Sequence, residues 1–505
     1  FKSKKFNDLN RKMLDMVISE AKNLGIKEIL PTYAEGDRQG VRFEKGEVKV
    51  PDCFHRPYKL YVEGEWIAMA EDPEVGGQGL PQVIKQAANE YILGSNFAFV
   101  ALGNLCHGTA KMIELFGTSQ QKALFLEKVY SGHWGGTMQL TEPEAGSDVG
   151  ALTTTARKND DGTMGDFNDV VCTGVEEKMG LHGSPTCSMT LGGKGGCRGI
   201  LLGEENKGML VMFHMMNEAR LDVGAQGFSH GSAAYLYALN YARERLQGRE
   251  IDSAEDDAPQ IPIIRHPDVR RMLLNMKANV EGMRSFVYYV AYCFDRLAGA
   301  EDESEKQRYS GLIELLTPVI KSYCSDQGQE VCRLAIQIYG GYGYTKEYPV
   351  EQLYRDCKIT SIYEGTNGIQ AMDLLGRKLG MRKGAVFMDF LQEIEQTIKS
   401  AGEIPALGDM AAAVEHARTR LSEVAIHLGK TAISPQLRVA FAHAHPFLDV
   451  MGDVIMAWMH LWRATVALPK LEKLAAATDA ATVKQKVAKN KDAAFYDGQL
   501  KSAEF

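Results

Sequence analysis

No stretch of about 18 unbroken apolar residues occurs in the 505-residue chain, which excludes a membrane-spanning helix. Basic side chains are the minority. Lys and Arg number 57 against 65 Asp and Glu, and the net charge of -8 removes the basic footprint that a nucleic-acid partner needs. Cysteine is thinly used: the nine are odd in number, scattered, and include no Cys-x-x-Cys pair. That disfavours a disulfide framework and a zinc site, and fits free thiols in a reducing compartment. Gly192-Gly193-Lys194-Gly195-Gly196 has no Ser or Thr after its lysine and no upstream glycine at phosphate-loop spacing, so it reads as a flexible hairpin tip. No dinucleotide-fold glycine fingerprint occurs there either. The opening Phe1-Lys2-Ser3-Lys4-Lys5 has no start methionine and leads into no apolar core of signal-peptide length, so the expectation is of a chain trimmed at its start. What remains, 45% apolar and 24% charged residues, is ordinary for a globular protein, and the length leaves room for three or four domains.

Residues 1–135 read as an N-terminal helical domain. Asp8–Ala21 spaces Leu9, Leu14 and Val17 among polar residues, with Asp8 as its N-cap. After the turn-rich Asp72–Gly79, Pro81 opens a helix at a position where its missing N–H costs nothing. Phe97–Phe116 is apolar enough to be a buried helix. Within it Cys106 and His107 are adjacent and do not face one another, so they read as a core cysteine beside a polar-facing histidine.

Between 136 and 212 Gly and Thr become frequent and short alternations such as Ala151–Ala156 are strand-like, which predicts a middle β domain. Helical patterning returns over 213–381. Ser232–Leu246 is amphipathic with Ser232 as N-cap, and Asp268–Leu297 carries Met272, Met276, Val280 and Met283 on one core stripe. Thr317 and Pro318 read as the cap and first position of a helix running to Tyr339. Residues 382–505 form a further helical extension, in which Leu421, Val424, Ala425 and Leu428, then Phe447, Val450, Met451 and Val454, follow the i, i+3, i+4, i+7 rule. Trp458, Leu461 and Trp462 continue that face, and His443 and His445, two apart, fall on opposite sides of a helix, so no metal is expected there.

The chemistry gathers in Gln337–Gln370, above all in Tyr363-Glu364-Gly365-Thr366-Asn367. Glu364 reads as a catalytic base, its pKa raised by desolvation beside Tyr363. Gly365 removes side-chain bulk for a large flat ligand, to which Thr366 and Asn367 can donate hydrogen bonds. Taken alone, a Glu-Gly-Thr tripeptide is usually a helix end or a turn. Upstream, Gln337-Ile338-Tyr339-Gly340-Gly341-Tyr342-Gly343-Tyr344 makes a glycine-paired loop, followed by Glu347–Glu351 and Arg355-Asp356.

Together with Met138-Gln139-Leu140-Thr141-Glu142-Pro143-Glu144-Ala145-Gly146-Ser147-Asp148, this pattern resembles the acyl-CoA dehydrogenase family over roughly residues 50 to 380. The resemblance implies a mainly α fold with a central β domain: a helical N-terminal domain, a β-barrel-like middle domain and a C-terminal four-helix bundle. The extension is similar to that of the longer bacterial members. The implied cofactor is FAD and the implied substrate an acyl-CoA. Met138, Leu140, Thr141, Ser147, Arg245, Gln337, Gly341 and Thr366 would hold the flavin, and Ser147, Tyr363 and Gly365 would contact the substrate. Arg220 matches an arginine that the family keeps near the base, where its charge would oppose desolvation. The place where some relatives carry the acid is Ala219 here, and Glu218 is one residue off. Implied partners are an electron-transferring flavoprotein and a second copy, as a homodimer or a tetramer; the implied place is the bacterial cytoplasm, before a mitochondrial matrix.

One departure stands out. Asn159-Asp160-Asp161-Gly162-Thr163 runs straight into Met164-Gly165-Asp166-Phe167, where the family carries several tens more residues and a strand over the flavin. The sequence therefore leaves two further readings open beside the dehydrogenase, an acyl-CoA oxidase that passes electrons to oxygen and a non-catalytic member serving as a binding subunit.

Overall fold

The computed structural model describes residues 4–156, 168–252, 257–476 and 480–505. They group into two compact units, Phe1–Ala219 and Arg220–Phe505. Helix accounts for 72% and strand for 4%, so the class is mainly α. The junction between Thr163 and Met164 lies outside the described residues.

The first unit holds α1 (Arg11–Leu24), α2 (Tyr33–Gln39), α3 (His55–Glu63), α4 (Gln82–Ser95), α5 (Phe97–Phe116) and α6 (Ser119–Tyr130). Side-chain caps set their starts. Asn10, not Asp8, caps α1: its side chain accepts from the Met13 amide, two residues further along than the apolar spacing suggested. Pro81 sits one place before α4, and Asn96 caps α5 by accepting from Phe99. Thr118 and Gln121 close a reciprocal capping box on α6.

Strands are few. Arg42–Glu44 (β1) and Glu47–Lys49 (β2) make a small hairpin. In the middle segment Val170–Val175 (β3) pairs antiparallel with Cys187–Leu191 (β4), Val170 opposite Leu191, with an irregularity between Cys172 and Gly174. Ala151–Ala156 is not a strand. The Glu142 carboxylate accepts from the amides and hydroxyls of both Thr153 and Thr154, and these bonds take the place of a ladder. Those bonds, the Thr154 hydroxyl first, bring the Glu142 pKa down to about 2. The Gly192–Gly196 run is the turn after β4 and not the tip between the strands; Gly192 donates to the Asp169 carbonyl at 2.8 Å and the Lys194 amide to the Asp169 carboxylate.

The second unit is built on α7 (Gly208–Glu244), α8 (Pro267–Gly299) and α9 (Glu303–Tyr339). α7 begins before the unit boundary. Ser232 therefore lies inside α7 and caps nothing. Met272, Met276, Val280 and Met283 are buried on α8, as the stripe required. α9 runs unbroken through Pro318, so no helix starts there. The Thr317 hydroxyl donates to the Ile313 carbonyl at 2.6 Å, and Leu312, Ile313, Leu315, Leu316, Val319 and Ile320 are all buried around the proline. Burial on both sides outweighs the cost of about 3 kcal/mol for an internal proline. α7 and α9 touch backbone to backbone, since a Cβ on Gly227 would lie 2.5 Å from the Cys324 carbonyl and one on Gly328 2.2 Å from that of Gly227. α10 (Pro349–Lys358) and α11 (Asn367–Asp373) both pack on α9 beside this crossing.

The extension adds α12 (Ala385–Gly402), α13 (Gly408–Ala432), α14 (Leu437–Ala442), α15 (Ala444–Ala475), α16 (Ala480–Lys489) and α17 (Lys491–Glu504). Leu421, Ala425 and Leu428 are buried, as are Phe447, Met451, Val454, Trp458 and Leu461. Val424, Val450 and Trp462 lie outside that stripe, 42%, 45% and 40% exposed. Gly452 passes directly under the Tyr323 ring, and the Tyr323 hydroxyl donates to Asp453 at 2.7 Å. Trp458 is fully buried, with its indole N–H donating to Thr397 at 2.8 Å. Trp458→Ala is expected to cost about 3–5 kcal/mol and to lower the thermal midpoint of unfolding; an unchanged midpoint would contradict this core.

Candidate functional site

The turn between α10 and α11 carries the site. A short 3-10 turn, Ile359–Ser361, ends α10, and the Thr366 side chain then caps α11 by accepting from the Ile369 amide at 3.3 Å. Between them Glu364 has φ +56° and Gly365 φ +84°. Left-handed backbone at a non-glycine residue is strained, and such strain is found where surrounding contacts impose it. The contacts are visible. The Glu364 carbonyl accepts from Arg220 Nε at 3.4 Å and from Gln370 Nε2 at 3.3 Å, and the Gly365 carbonyl also accepts from Gln370 at 3.3 Å. The Tyr363 hydroxyl donates to Gln226 Oε1 on α7. The Glu364 amide N–H has no acceptor among the described residues.

Electrostatics here are a contest. Burial pushes the Glu364 carboxyl above its ordinary 4.5, and Arg220 and then Lys321 pull it back; burial prevails. Arg220 is 5% exposed, lies 3.8 Å from Asp373 and projects toward Glu364 from α7. The structure thus brings Glu364, Tyr363, Gly365, Thr366 and Arg220 together. Two details differ from the expectation. A Cβ on Gly365 would lie 2.6 Å from Gln370 Nε2, so the protein itself fills the space that was to admit a flat ligand. Asn367 donates to Ser322 O and Ser325 Oγ and accepts from Lys321, so its amide is spent inside the protein and no part of it is left to donate to a ligand.

A second cluster lies where α7 ends. Exposed Arg245 stands over the Tyr342 ring, 5.5 Å from its centroid, and Tyr241 stacks on Tyr339 at 4.0 Å. Gln337 is exposed on the last turn of α9, and a Cβ on Gly340 or Gly341 would meet nothing within 4 Å. In the first unit Met138, Thr141 and Ser147 are exposed and Leu140 half-buried, on a loop closed by the Glu142–Ala145 bridge.

Sequence reasoning missed three polar groupings. Lys321 is buried on α9 and donates to Asn367 at 2.7 Å. Glu71, His107 and Glu218 converge in the first unit, and so do Asp326, His445 and Asp449 in the second. Lys85 lies 2.7 Å from Glu218 and Lys111 2.6 Å from Glu71, so ammonium groups occupy the places metal ligation would need at the first. Its Glu218 turns toward α4 and α5, as a residue one position from the expected acid should. His443 precedes α15, and half-buried His460 accepts no proton easily, with a pKa down to about 4 by desolvation.

The family model for the acyl-CoA dehydrogenase C-terminal domain matches residues 206–379, and that for the acetyl-CoA dehydrogenase C-terminal-like domain matches 390–505. A 3-methylmercaptopropionyl-CoA dehydrogenase of Ruegeria pomeroyi is 34% identical over 88% of this chain and 84% of its own. A broad-specificity linear acyl-CoA dehydrogenase of Mycobacterium tuberculosis is 29% identical over 99% and 90%. That alignment spans 567 positions against 505 residues here, so at least 62 of its positions have no residue in this chain. A solved acyl-CoA dehydrogenase from Bacillus anthracis, complexed with FAD, shares the fold with a TM-score of 0.73 and 21% identity, over 98% of this chain and 94% of that one.

Because its pKa is raised, Glu364 binds a proton more tightly in the folded chain than in the unfolded one. The penalty is absent below the ordinary 4.5 and grows as pH rises above it. Glu364→Gln should therefore be more stable than the parent at about pH 7.5, with the difference vanishing near about pH 4. Urea unfolding at both values checks this; a variant equally destabilised at both would contradict it.

Proposed function

The chain belongs to the acyl-CoA dehydrogenase family, and from that premise we propose that it converts an acyl-CoA thioester to the 2-enoyl-CoA with FAD as cofactor. The observation that carries this reading is Glu364, a desolvated carboxylate held in a strained turn between two cationic side chains. Glu364 takes the proton from the α-carbon. A base for a weak carbon acid gains from a raised pKa, and Arg220 keeps enough of the carboxylate ionised to begin the transfer. The amide N–H of Glu364 is free to donate to the thioester oxygen, where charge gathers as the proton leaves. Tyr363, fixed by Gln226, and Gly365 shape the substrate side, and Ser147 serves substrate and cofactor.

The residues present fit FAD. Arg245 offers a guanidinium beside the open backbone edge of Gly340 and Gly341, a pairing suited to a diphosphate, and exposed Gln337 lies on the same helix end. Gly341, Thr366, Met138, Leu140 and Thr141 complete the set assigned to the cofactor. FAD, when bound, supplies the acceptor for the hydride that leaves the β-carbon. An electron-transferring flavoprotein then receives the electrons. By its resemblance to the longer bacterial members the chain would act as a homodimer in the bacterial cytoplasm. Separately, no helix of the described residues is long and apolar enough to cross a membrane.

Glu364→Gln should keep the yellow colour and slow anaerobic bleaching by acyl-CoA about 10²–10⁴-fold; undiminished bleaching would place the base elsewhere. Arg245→Ala should copurify with less flavin than the parent, and equal flavin content would remove Arg245 from the site. Peroxide formed in air at the rate of turnover would reassign the protein as an oxidase.

A further inference from the structure

Lys321 touches no reacting group in the reaction just described, yet it is 0% exposed and bonds to Asn367 beside the turn that carries it. Its ammonium makes one hydrogen bond, to Asn367 Oδ1 at 2.7 Å, and no carboxylate lies within ion-pair distance of it among the described residues. The orientation of that amide follows from its other bonds, since Asn367 Nδ2 donates to Ser322 O at 3.3 Å and Ser325 Oγ at 2.9 Å. A buried ammonium with a single neutral partner is costly, and a leucine or methionine would fill the same space without that cost.

The charges around it divide unevenly. Arg220, from α7, is shared with Asp373 on α11, which also holds Arg377 at 2.7 Å. Asp326, one turn along α9, faces His445 at 3.6 Å, and His445 lies 3.7 Å from Asp449 on α15; beyond them Asp453 is bonded to Tyr323. Two carboxylates favour the Lys321 ammonium, Asp326 first and Glu364 after it. Lys321 thus has no carboxylate in contact with it among the described residues, and Glu364, on the turn, is one of the two that feel its charge.

We propose that Lys321 is a positioning residue for Glu364: through Asn367 it fixes the first turn of α11, and its unpaired ammonium holds the Glu364 carboxylate in its ionised form. This rests on Glu364 being the base. Burial brings the lysine down to about 7, so the base loses its supporting charge within the working range of pH.

The test is stopped-flow reduction of the FAD-loaded enzyme across pH, with an acyl-CoA that bleaches the parent. Lys321→Met should keep its flavin and move the acid limb of the reduction rate upward by about one pH unit, while Lys321→Arg returns it to the parent position. Asn367→Asp gives the ammonium a private carboxylate and should move the limb the same way, which keeps the inference testable where the methionine variant does not fold. An acid limb unmoved in a flavin-loaded Lys321→Met or Asn367→Asp enzyme overturns the inference and leaves Lys321 a packing residue. Glu364→Gln run alongside separates the two ideas: bleaching that survives in it defeats the assignment of the base itself.

Discussion

The site in the second unit depends on one unfavourable act, the partial burial of the Glu364 carboxylate at a left-handed backbone position. Neither the strain nor the desolvation would persist on local contacts alone. Arg220 reaches it from α7, Gln370 and the Thr366 cap from α11, and Lys321 from α9 by way of Asn367. These helices can converge because α7 and α9 meet at Gly227 and Gly328, where no side chain fits between them. The close crossing is thus a condition for the electrostatics, and the packing of α8 and α15 behind α9 maintains it.

The balance at Glu364 explains why two cations stand near a group that must not be too acidic. Burial alone would raise the carboxyl further, and a close salt bridge alone would lower it below the usual range. Arg220 bonds the Glu364 carbonyl and leans toward Asp373, and so acts on the carboxylate at one remove. Lys321 acts at a distance through its field. The result is a base that is neither fully quenched nor fully exposed.

Much of this was legible in the sequence because it is local. The pentapeptide around Glu364, the paired glycines after α9 and the methionine stripe of α8 each carry their own spacing. Asp8 failed as a cap because Asn10 could bond the Met13 amide, a choice made by geometry two residues away. Pro318 failed as a helix start because burial on both sides of it is a tertiary fact. Asn367 looked like a ligand donor and proved to be an internal clamp, since Lys321 lies 46 residues earlier and reads in isolation like any helix lysine. The alternation at Ala151–Ala156 misled because Glu142, far back on the same loop, satisfies those amides with a side chain.

Infrared difference titration reads the proton on Glu364 directly. The carboxyl band of Glu364 is isolated by subtracting Glu364→Gln, and its loss is followed as pH rises. A band that persists above the ordinary carboxylate value of 4.5 is the expected result. A band already gone at or below that value would mean that Glu364 is an ordinary solvated acid, and no half-buried, doubly opposed base would exist.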